Sequence, residues 1–146
     1  MPDETSRYFL CAASLDHAKD AMEREICFLG TSEAIAADAD EGDGVVIYTP
    51  TTEYKSGDPV QQFTAIGRIE GDEIVCDPIP SGELFARRVS YRVSAKRADV
   101  RPLLNTLEFV KDAKNWGVYF RNPKREIPEA DWCRIAEAMG LSPRAC

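Results

Sequence analysis

The chain has 146 residues, of which 44% are hydrophobic and 29% charged, an ordinary composition for a globular protein and enough to bury a core as a single domain, residues 1–146. No apolar run approaches the roughly 20 residues that a membrane span needs, and the acidic, polar start of the chain predicts no secretory signal. We therefore expect a cytoplasmic protein with no membrane partner.

Charge is distributed unevenly along the chain. The net charge of −7 argues against strong non-specific binding to nucleic acid. Residues 1–60, however, carry 13 acids and 4 bases, whereas residues 84–125 carry 11 bases and 3 acids. This split is typical of a domain with one anion-facing side, and equally of a surface laced with salt bridges.

The side chains of metal and covalent chemistry are sparse. Five widely spaced cysteines without a C-x-x-C pair, together with a single histidine, predict no structural zinc site, and Cys11 and Cys27 lie in apolar runs that are typical of reduced, buried thiols. No phosphate-loop, dinucleotide-binding, nucleophile-elbow or H-E-x-x-H motif occurs. We expect no cofactor, no metal and no catalytic residue.

The first third of the chain alternates strands with short helices. Residues 8–13 predict a buried strand, and Ser14 then suits a helix N-cap whose hydroxyl accepts from the first turn. The helix would bury Leu15, Ala18 and Met22. A short strand at 26–29, a brief helix ending near residue 37 and a β-branched strand at 45–48 follow.

The remaining elements combine one loop, a hairpin, two more strands and two helices. Residues 51–59 are polar with Gly and Pro, which predicts a long loop that could act as a mobile lid. The later strands are a hairpin of strands 62–69 and 74–76, a strand at 85–93 and a strand at 116–120. A helix beginning at Asp99 would carry Val100, Leu103, Leu104 and Leu107 on one face. A last helix from Pro128 would bury Trp132, Ile135, Ala136 and Met139. This order predicts an α+β domain around a curved sheet or small barrel.

Six segments in order carry a family resemblance. They are residues 8–17 (YFLCAASLDH), 42–50 (GDGVVIYTP), 63–67 (FTAIG), 101–104 (RPLL), 107–109 with 115–117 (LEF and NWG), and 127–139 (IPEADWCRIAEAM). Together they span residues 7 to about 139, and in this order they resemble an EVE domain.

The resemblance implies a PUA-like fold, a small, strongly curved β-barrel with peripheral helices, related to ASCH, PUA and YTH domains. It also implies a partner, modified DNA or RNA, and a pocket that takes one flipped base, such as a methylated or hydroxymethylated cytosine, between aromatic walls. The positions that match this pocket are Ser14, His17, Tyr48, Thr49, Pro50, Asn115 and Trp116.

The chemistry of these residues agrees with such a pocket. Trp116 and Tyr48 suit the walls, with Phe28 as a third candidate, because a base stacked on an aromatic ring gains roughly 1–3 kcal/mol. Ser14, Thr49 and Asn115 can hydrogen-bond the edge of a flipped base. Phosphates would be held by Arg87, Arg88, Lys114 and Arg121.

Other interpretations stand beside this one. Trp116 can be a core residue, Ser14 a plain helix cap and Asn115 a turn residue. The same pocket can serve a sensor of a small molecule or free modified nucleotide, or an enzyme that acts on a nucleotide through Ser14 and His17, which lie one helical turn apart.

Overall fold

A computed structural model describes residues 6–53, 56–121 and 124–142, and within these ranges it contains seven strands, three α-helices and two 3₁₀ segments. The strands are β1 (Tyr8–Ala12), β2 (Ile26–Gly30), β3 (Gly44–Glu53), β4 (Ser56–Ile79), β5 (Gly82–Tyr91), β6 (Ala98–Asp99) and β7 (Arg125–Ile127). The α-helices are α1 (Leu15–Arg24), α2 (Glu33–Ala37) and α3 (Glu129–Ala138), and the 3₁₀ segments are Arg101–Leu103 and Ala113–Phe120. None of these helices is long and apolar enough to cross a membrane.

The strands form one curled, mixed sheet in the order β2-β5-β4-β3-β1-β7, with β6 paired to β4. β1 and β3 run parallel, from Tyr8 opposite Gly44 to Ala12 opposite Tyr48, while the other pairs are antiparallel. Because parallel strands end at the same edge, the exit from β1 into α1 lies beside Tyr48. The Ala13 N–H donates to the Tyr48 carbonyl at 3.0 Å and fixes this junction.

Alternation along the strands divides the buried side chains between two cores. Tyr8 and Leu10 of β1 face a core that contains α3 and the aromatic residues of segment 104–120, whereas Phe9 and Cys11 face a core that contains α1 and α2. At 25 cal/mol per Å² of apolar area, the burial of such a side chain stabilises the fold by roughly 1.5–3 kcal/mol. The helices thus cover both faces of the sheet.

Two side chains hold α3 in place. Trp132 packs on Tyr8 with ring centroids 5.1 Å apart, and Gly44 permits this approach, since a Cβ there would lie 2.6–2.8 Å from both rings. The Asp131 carboxylate, 0% exposed, accepts from the backbone N–H groups of Glu108 and Phe109 at 2.8 and 2.9 Å. Asp131 therefore ties the chain that precedes Ala113–Phe120 to α3.

Several sequence predictions are confirmed. Strands occur at the predicted positions in β1, β2 and β3, and the helix from Pro128 buries the four predicted residues. Helix α1 also forms, but Met22 is exposed and Ala18 and Ala21 supply the buried face.

Other predictions are wrong. The predicted lid is an extension of β3 and β4, with Thr51 opposite Pro59 and Glu53 opposite Ser56, while residues 54 and 55 lie outside the described ranges. The predicted 62–76 hairpin is instead one strand, β4, whose two parts both pair with β5 around an irregularity between Ile69 and Ile74.

The chain from Asp99 to Phe120 also differs from prediction. In place of the predicted helix at 99–107, the chain forms only the 3₁₀ turn Arg101–Leu103 followed by further turns. Val100, Leu104 and Leu107 still reach the core, but without continuous helical hydrogen bonding. The predicted strand 116–120 lies inside the 3₁₀ segment Ala113–Phe120, where the Asp112 carboxylate accepts from the Lys114 N–H at the first turn.

Candidate binding cavity

A cavity of about 810 Å³ opens where β1 ends beside the middle of β3 and where the segment Ala113–Phe120 packs near them. Its lining is predominantly apolar and aromatic. The lining residues are Ala12, Ala13, Ser14, Tyr48, Pro50, Thr51, Gln61, Trp116, Gly117, Phe120 and Arg121. Four separate parts of the chain therefore contribute to one concave site.

Aromatic rings form the inner wall. The centroid of Tyr48 lies 6.3 Å from that of Trp116 and 4.7 Å from that of Phe120, and Trp116 meets Phe120 edge to face at 5.6 Å. Phe63 and Phe109 pack behind Phe120 at 6.2 and 5.3 Å. Edge-to-face contacts of this kind hold the rings in fixed orientations, so the wall is preformed.

Tyr48 is 2% exposed, and burial raises the pKa of its phenol to about 12, an effect that the positive charge of Arg101 opposes. The phenol is therefore protonated throughout the neutral range and retains its O–H as a donor.

Ser14 contributes a hydroxyl that pairs with no other residue of the described ranges. The residue occupies the N-cap position of α1, and its carbonyl accepts from the Ala18 N–H at 2.8 Å. The predicted cap by its side chain does not form, and its Oγ is buried without a hydrogen bond to any described residue. Buried polar atoms are normally paired, so this hydroxyl at a cavity wall is a candidate contact for a ligand.

The mouth of the cavity is basic. The Arg101 guanidinium lies over the Trp116 ring, 5.5 Å from its centroid, and Arg101 Nε donates to Gln61 Oε1 at 3.1 Å. Gln61 has a φ of 53°, a left-handed conformation that is uncommon for a residue other than glycine. It sits where the register between β3 and β4 shifts, which turns its side chain toward the cavity and Arg101.

Four of the eight predicted pocket residues line this cavity, namely Ser14, Tyr48, Pro50 and Trp116. Thr49 is buried behind the wall, with its Oγ1 2.9 Å from that of Thr64.

The other three predicted pocket residues do not line the cavity. Phe28 lies on β2 beneath the Arg24 guanidinium, and His17 is exposed on α1. Asn115 is exposed and donates to the Asp112 carboxylate at 2.9 Å.

The predicted phosphate contacts also separate. Arg121 lines the cavity directly after the 3₁₀ segment Ala113–Phe120, and Lys114 is exposed within that segment. Arg88 is exposed on β5 and pairs with Glu73 at 3.3 Å. Arg87 is 3% exposed and donates to the carbonyls of Ala36, Ala39 and Gly71, so its assignment to a surface phosphate does not fit its burial.

Sequence reasoning missed Gln61, Phe120 and Arg101. Phe120 follows Trp116 by four residues, a spacing that places both on one side of a helical turn, but the alternating apolar pattern favours a strand. Gln61 is at the site only because of the register shift, for which the sequence carries no signal. Among the described residues no group of three His, Cys, Asp or Glu side chains could hold a metal ion.

The EVE-domain family model matches residues 7–138, so the chain belongs to the EVE-domain family. The chain is 36% identical over 141 residues to the UPF0310 protein msl3206 of Mesorhizobium japonicum, covering 92% of this chain and 93% of the relative. It is 32% identical over 138 residues to a UPF0310 protein of Renibacterium salmoninarum, covering 92% and 96%.

Solved structures share the fold at low sequence identity. The YTH domain of Zygosaccharomyces rouxii MRB1, solved with N6-methyladenosine RNA, superposes with a TM-score of 0.56 at 16% identity over 94% of this chain and 88% of that one. The Pho92 YTH domain, solved with N6-methyladenosine, gives 0.56 at 17% identity over 97% and 91%. The predicted α+β, PUA-like fold is confirmed, in the form of a curled half-barrel.

Proposed function

We propose that this chain is a non-catalytic domain that binds modified nucleic acid and holds one flipped, modified base in the cavity that Tyr48 and Trp116 line. The observation that carries the proposal is the combination of a preformed aromatic wall with the buried hydroxyl of Ser14, which has no partner among the described residues. The volume of about 810 Å³ lies within the range of roughly 300–1,000 Å³ that is usual for ligand pockets.

The wall and the hydroxyl have separate tasks. Trp116 offers a ring on which an extruded base stacks, which offsets the few kcal/mol that unstacking from the strand costs. Ser14 Oγ can donate to, or accept from, the polar edge of that base. A methyl or hydroxymethyl group on the base adds apolar area to bury, at about 0.8 kcal/mol per CH₂.

The basic mouth suits the strand that carries the base. Arg121, Arg101 and Lys114 are available to the phosphates on either side of a flipped nucleotide. Such contacts fix position without reading sequence. The YTH domains that share the fold were solved with N6-methyladenosine, which supports a modified base as the ligand class.

The test is fluorescence anisotropy with DNA and RNA oligonucleotides that carry one methylated cytosine, hydroxymethylated cytosine or N6-methyladenosine, compared with the unmodified strands. We expect Trp116→Ala to weaken binding of the preferred strand by roughly 5- to 150-fold, the equivalent of about 1–3 kcal/mol of stacking. Val118→Ala is the matched control, because Val118 is exposed on the same segment and does not line the cavity. Equal affinity for modified and plain strands, unchanged by Trp116→Ala, would refute the proposal.

The net charge of −7 favours a second candidate, a sensor of free modified nucleosides, because most of the surface repels a polyanion. Salt separates the two functions. Binding of a strand weakens steeply as salt rises, and Arg121→Gln should reduce the salt slope by about one, whereas binding of a nucleoside barely responds.

Catalysis by Ser14 and His17 has little support. Ser14 Oγ makes no hydrogen bond to any described side chain, so nothing in that part of the chain activates it as a nucleophile. A cytoplasmic location remains a prediction.

A further inference from the structure

A second, smaller cavity of about 150 Å³ lies between β4, β5 and α3. Its polar side chains are those of Arg68, Ser90, Arg92 and Trp132, and the rest of its lining is aliphatic or glycine. No carboxylate of the described residues belongs to the lining, so this part of the chain gives the cavity many donors and positive charge.

The Arg68 guanidinium is fixed in place. It lies 5.4 Å from the ring centroid of Tyr8 and 5.5 Å from that of Trp132, and its Nη1 donates to the Gly42 carbonyl at 2.8 Å. Its Nη2 is buried and has no hydrogen-bond partner among residues 6–53, 56–121 and 124–142. Within the same ranges no carboxylate forms an ion pair with Arg68.

Trp132 presents a second unfilled donor. The residue is 3% exposed, and its Nε1 is buried with no partner in the described chain. An indole N–H and a guanidinium N–H can only donate, so a ligand that fills both must supply acceptor atoms. Buried donors that stay unpaired are rare in native proteins.

We propose that this cavity, which we call the oxyanion cavity and define by Arg68, Ser90, Arg92 and Trp132, binds a small oxyanion, either a phosphate group or a carboxylate. An oxyanion supplies several acceptors and negative charge together, and the planar fork of a guanidinium matches its geometry. The volume of about 150 Å³ suits such a group and is too small for a stacked nucleotide.

The oxyanion cavity is separate from the base cavity. Arg68 lies seven residues after Gln61 on β4, which corresponds to roughly 20 Å at the rise of a strand. Occupation of one cavity therefore needs no contact with the other, and this inference does not depend on the proposed function.

The test follows the indole N–H resonance of Trp132 by ¹H–¹⁵N NMR while inorganic phosphate replaces chloride at constant ionic strength. The chain has two tryptophans, so the indole signal that remains in Trp116→Phe belongs to Trp132. We expect a saturable shift of the Trp132 signal. Arg92→Gln should weaken phosphate binding about tenfold, as loss of one charge-assisted hydrogen bond does.

Two further variants test whether the effect is specific to the lining of the cavity. Arg97→Gln removes the same charge from an exposed arginine outside the lining and should leave the affinity unchanged. Arg68→Lys keeps the charge but loses the planar fork, and it should weaken binding while the protein stays folded by circular dichroism. If Arg68→Lys does not fold, the comparison of Arg92→Gln with Arg97→Gln still decides the question.

Parallel titrations identify the source of the group. Saturation by phosphate but not acetate assigns a phosphate site, and saturation by acetate assigns a carboxylate site. Saturation by a short unmodified oligonucleotide at a lower concentration than by phosphate assigns the phosphate to a strand. A shift that never saturates with any of these probes, or that is identical in Arg92→Gln and Arg97→Gln, overturns the proposal.

Discussion

Replacement of Ser14 by alanine should stabilise the unliganded protein and weaken its binding of a ligand. Ser14 is 4% exposed, and its Oγ has no hydrogen-bond partner among the described residues. A buried polar group left unpaired costs about 1–3 kcal/mol, so Ser14→Ala should raise the free energy of unfolding by roughly 1 kcal/mol after the loss of packing by the oxygen is counted. For a chain of this length the melting temperature should rise by about 2–4 °C.

The matched control is Thr49→Val on the neighbouring strand. Thr49 is as deeply buried, but its Oγ1 lies 2.9 Å from that of Thr64, so its removal breaks a hydrogen bond and should lower the free energy of unfolding by about 1 kcal/mol. Urea denaturation followed by circular dichroism measures both variants. Opposite signs are expected for the two substitutions, and a loss of stability in both would show that the Ser14 hydroxyl is already paired in solution.

The binding of the same Ser14 variant tests its role in the cavity. One hydrogen bond to a ligand is equivalent to about a tenfold change in affinity. Anisotropy titration of Ser14→Ala with the preferred modified strand should therefore show about tenfold weaker binding. Full affinity in a stabilised variant would remove the hydroxyl from the binding site.

Three further substitutions, the first with its own control, test the packing described above and an ion pair between Arg24 and Asp77, whose closest atoms are 2.6 Å apart. Gly44→Ala should destabilise the fold by roughly 1–3 kcal/mol in urea, because its Cβ would meet two rings of the core, whereas Gly117→Ala, with nothing within 4 Å of the added Cβ, should be close to neutral. Asp131→Ala should cost about 3 kcal/mol in the same assay, because it leaves two backbone N–H groups without their acceptor, and a loss below about 1 kcal/mol would contradict that. Hydrogen bonds from Arg24 hold the pKa of Asp77 below its ordinary value of 3.8, so this pair stabilises the fold above that pH and stops doing so as the pH falls through the lowered pKa. Asp77→Asn should accordingly flatten the fall in melting temperature below pH 3.8. The same fall in melting temperature in the variant would refute the contribution of this pair.

β1, β2 and β3 could be predicted from the sequence because each contains a continuous apolar run. β1 and β3 place their side chains alternately in two cores, so both faces are buried and nearly every residue of these runs is apolar. The helix α3 has four buried residues at helical spacing, which is why its position and buried face were both predictable.

The segment between β6 and β7 could not be predicted in the same way. Val100, Leu104 and Leu107 have helical spacing, but the backbone hydrogen bonds in this stretch run mostly three residues back, and the chain forms separate turns across the core. The alternating run at Trp116 favours a strand, yet no neighbouring strand pairs with it in the described sheet, and it forms a 3₁₀ segment packed on Tyr48. Long-range packing, and not the local sequence pattern, determines the structure of this segment.

The family resemblance predicted four residues of the cavity, namely Ser14, Tyr48, Pro50 and Trp116. Ser14 and Tyr48 come together because β1 runs parallel to β3 and ends beside Tyr48. Gln61 and Arg101 join them because the register shifts between β3 and β4 and because Gln61 is left-handed, and neither feature can be predicted from the sequence.

The parallel pairing of β1 with β3 also makes binding in the cavity depend on the folded state of the chain. A ligand that touches Ser14, Tyr48 and Trp116 bridges three chain segments that are distant in sequence and that meet only in the folded state. Such a ligand should bind the unfolded chain negligibly, so at a hundred times its dissociation constant it adds about 2.7 kcal/mol to the free energy of unfolding. Melting temperature can therefore rank unlabelled candidate nucleosides and strands directly, with the largest upward shift marking the ligand that fills the cavity best.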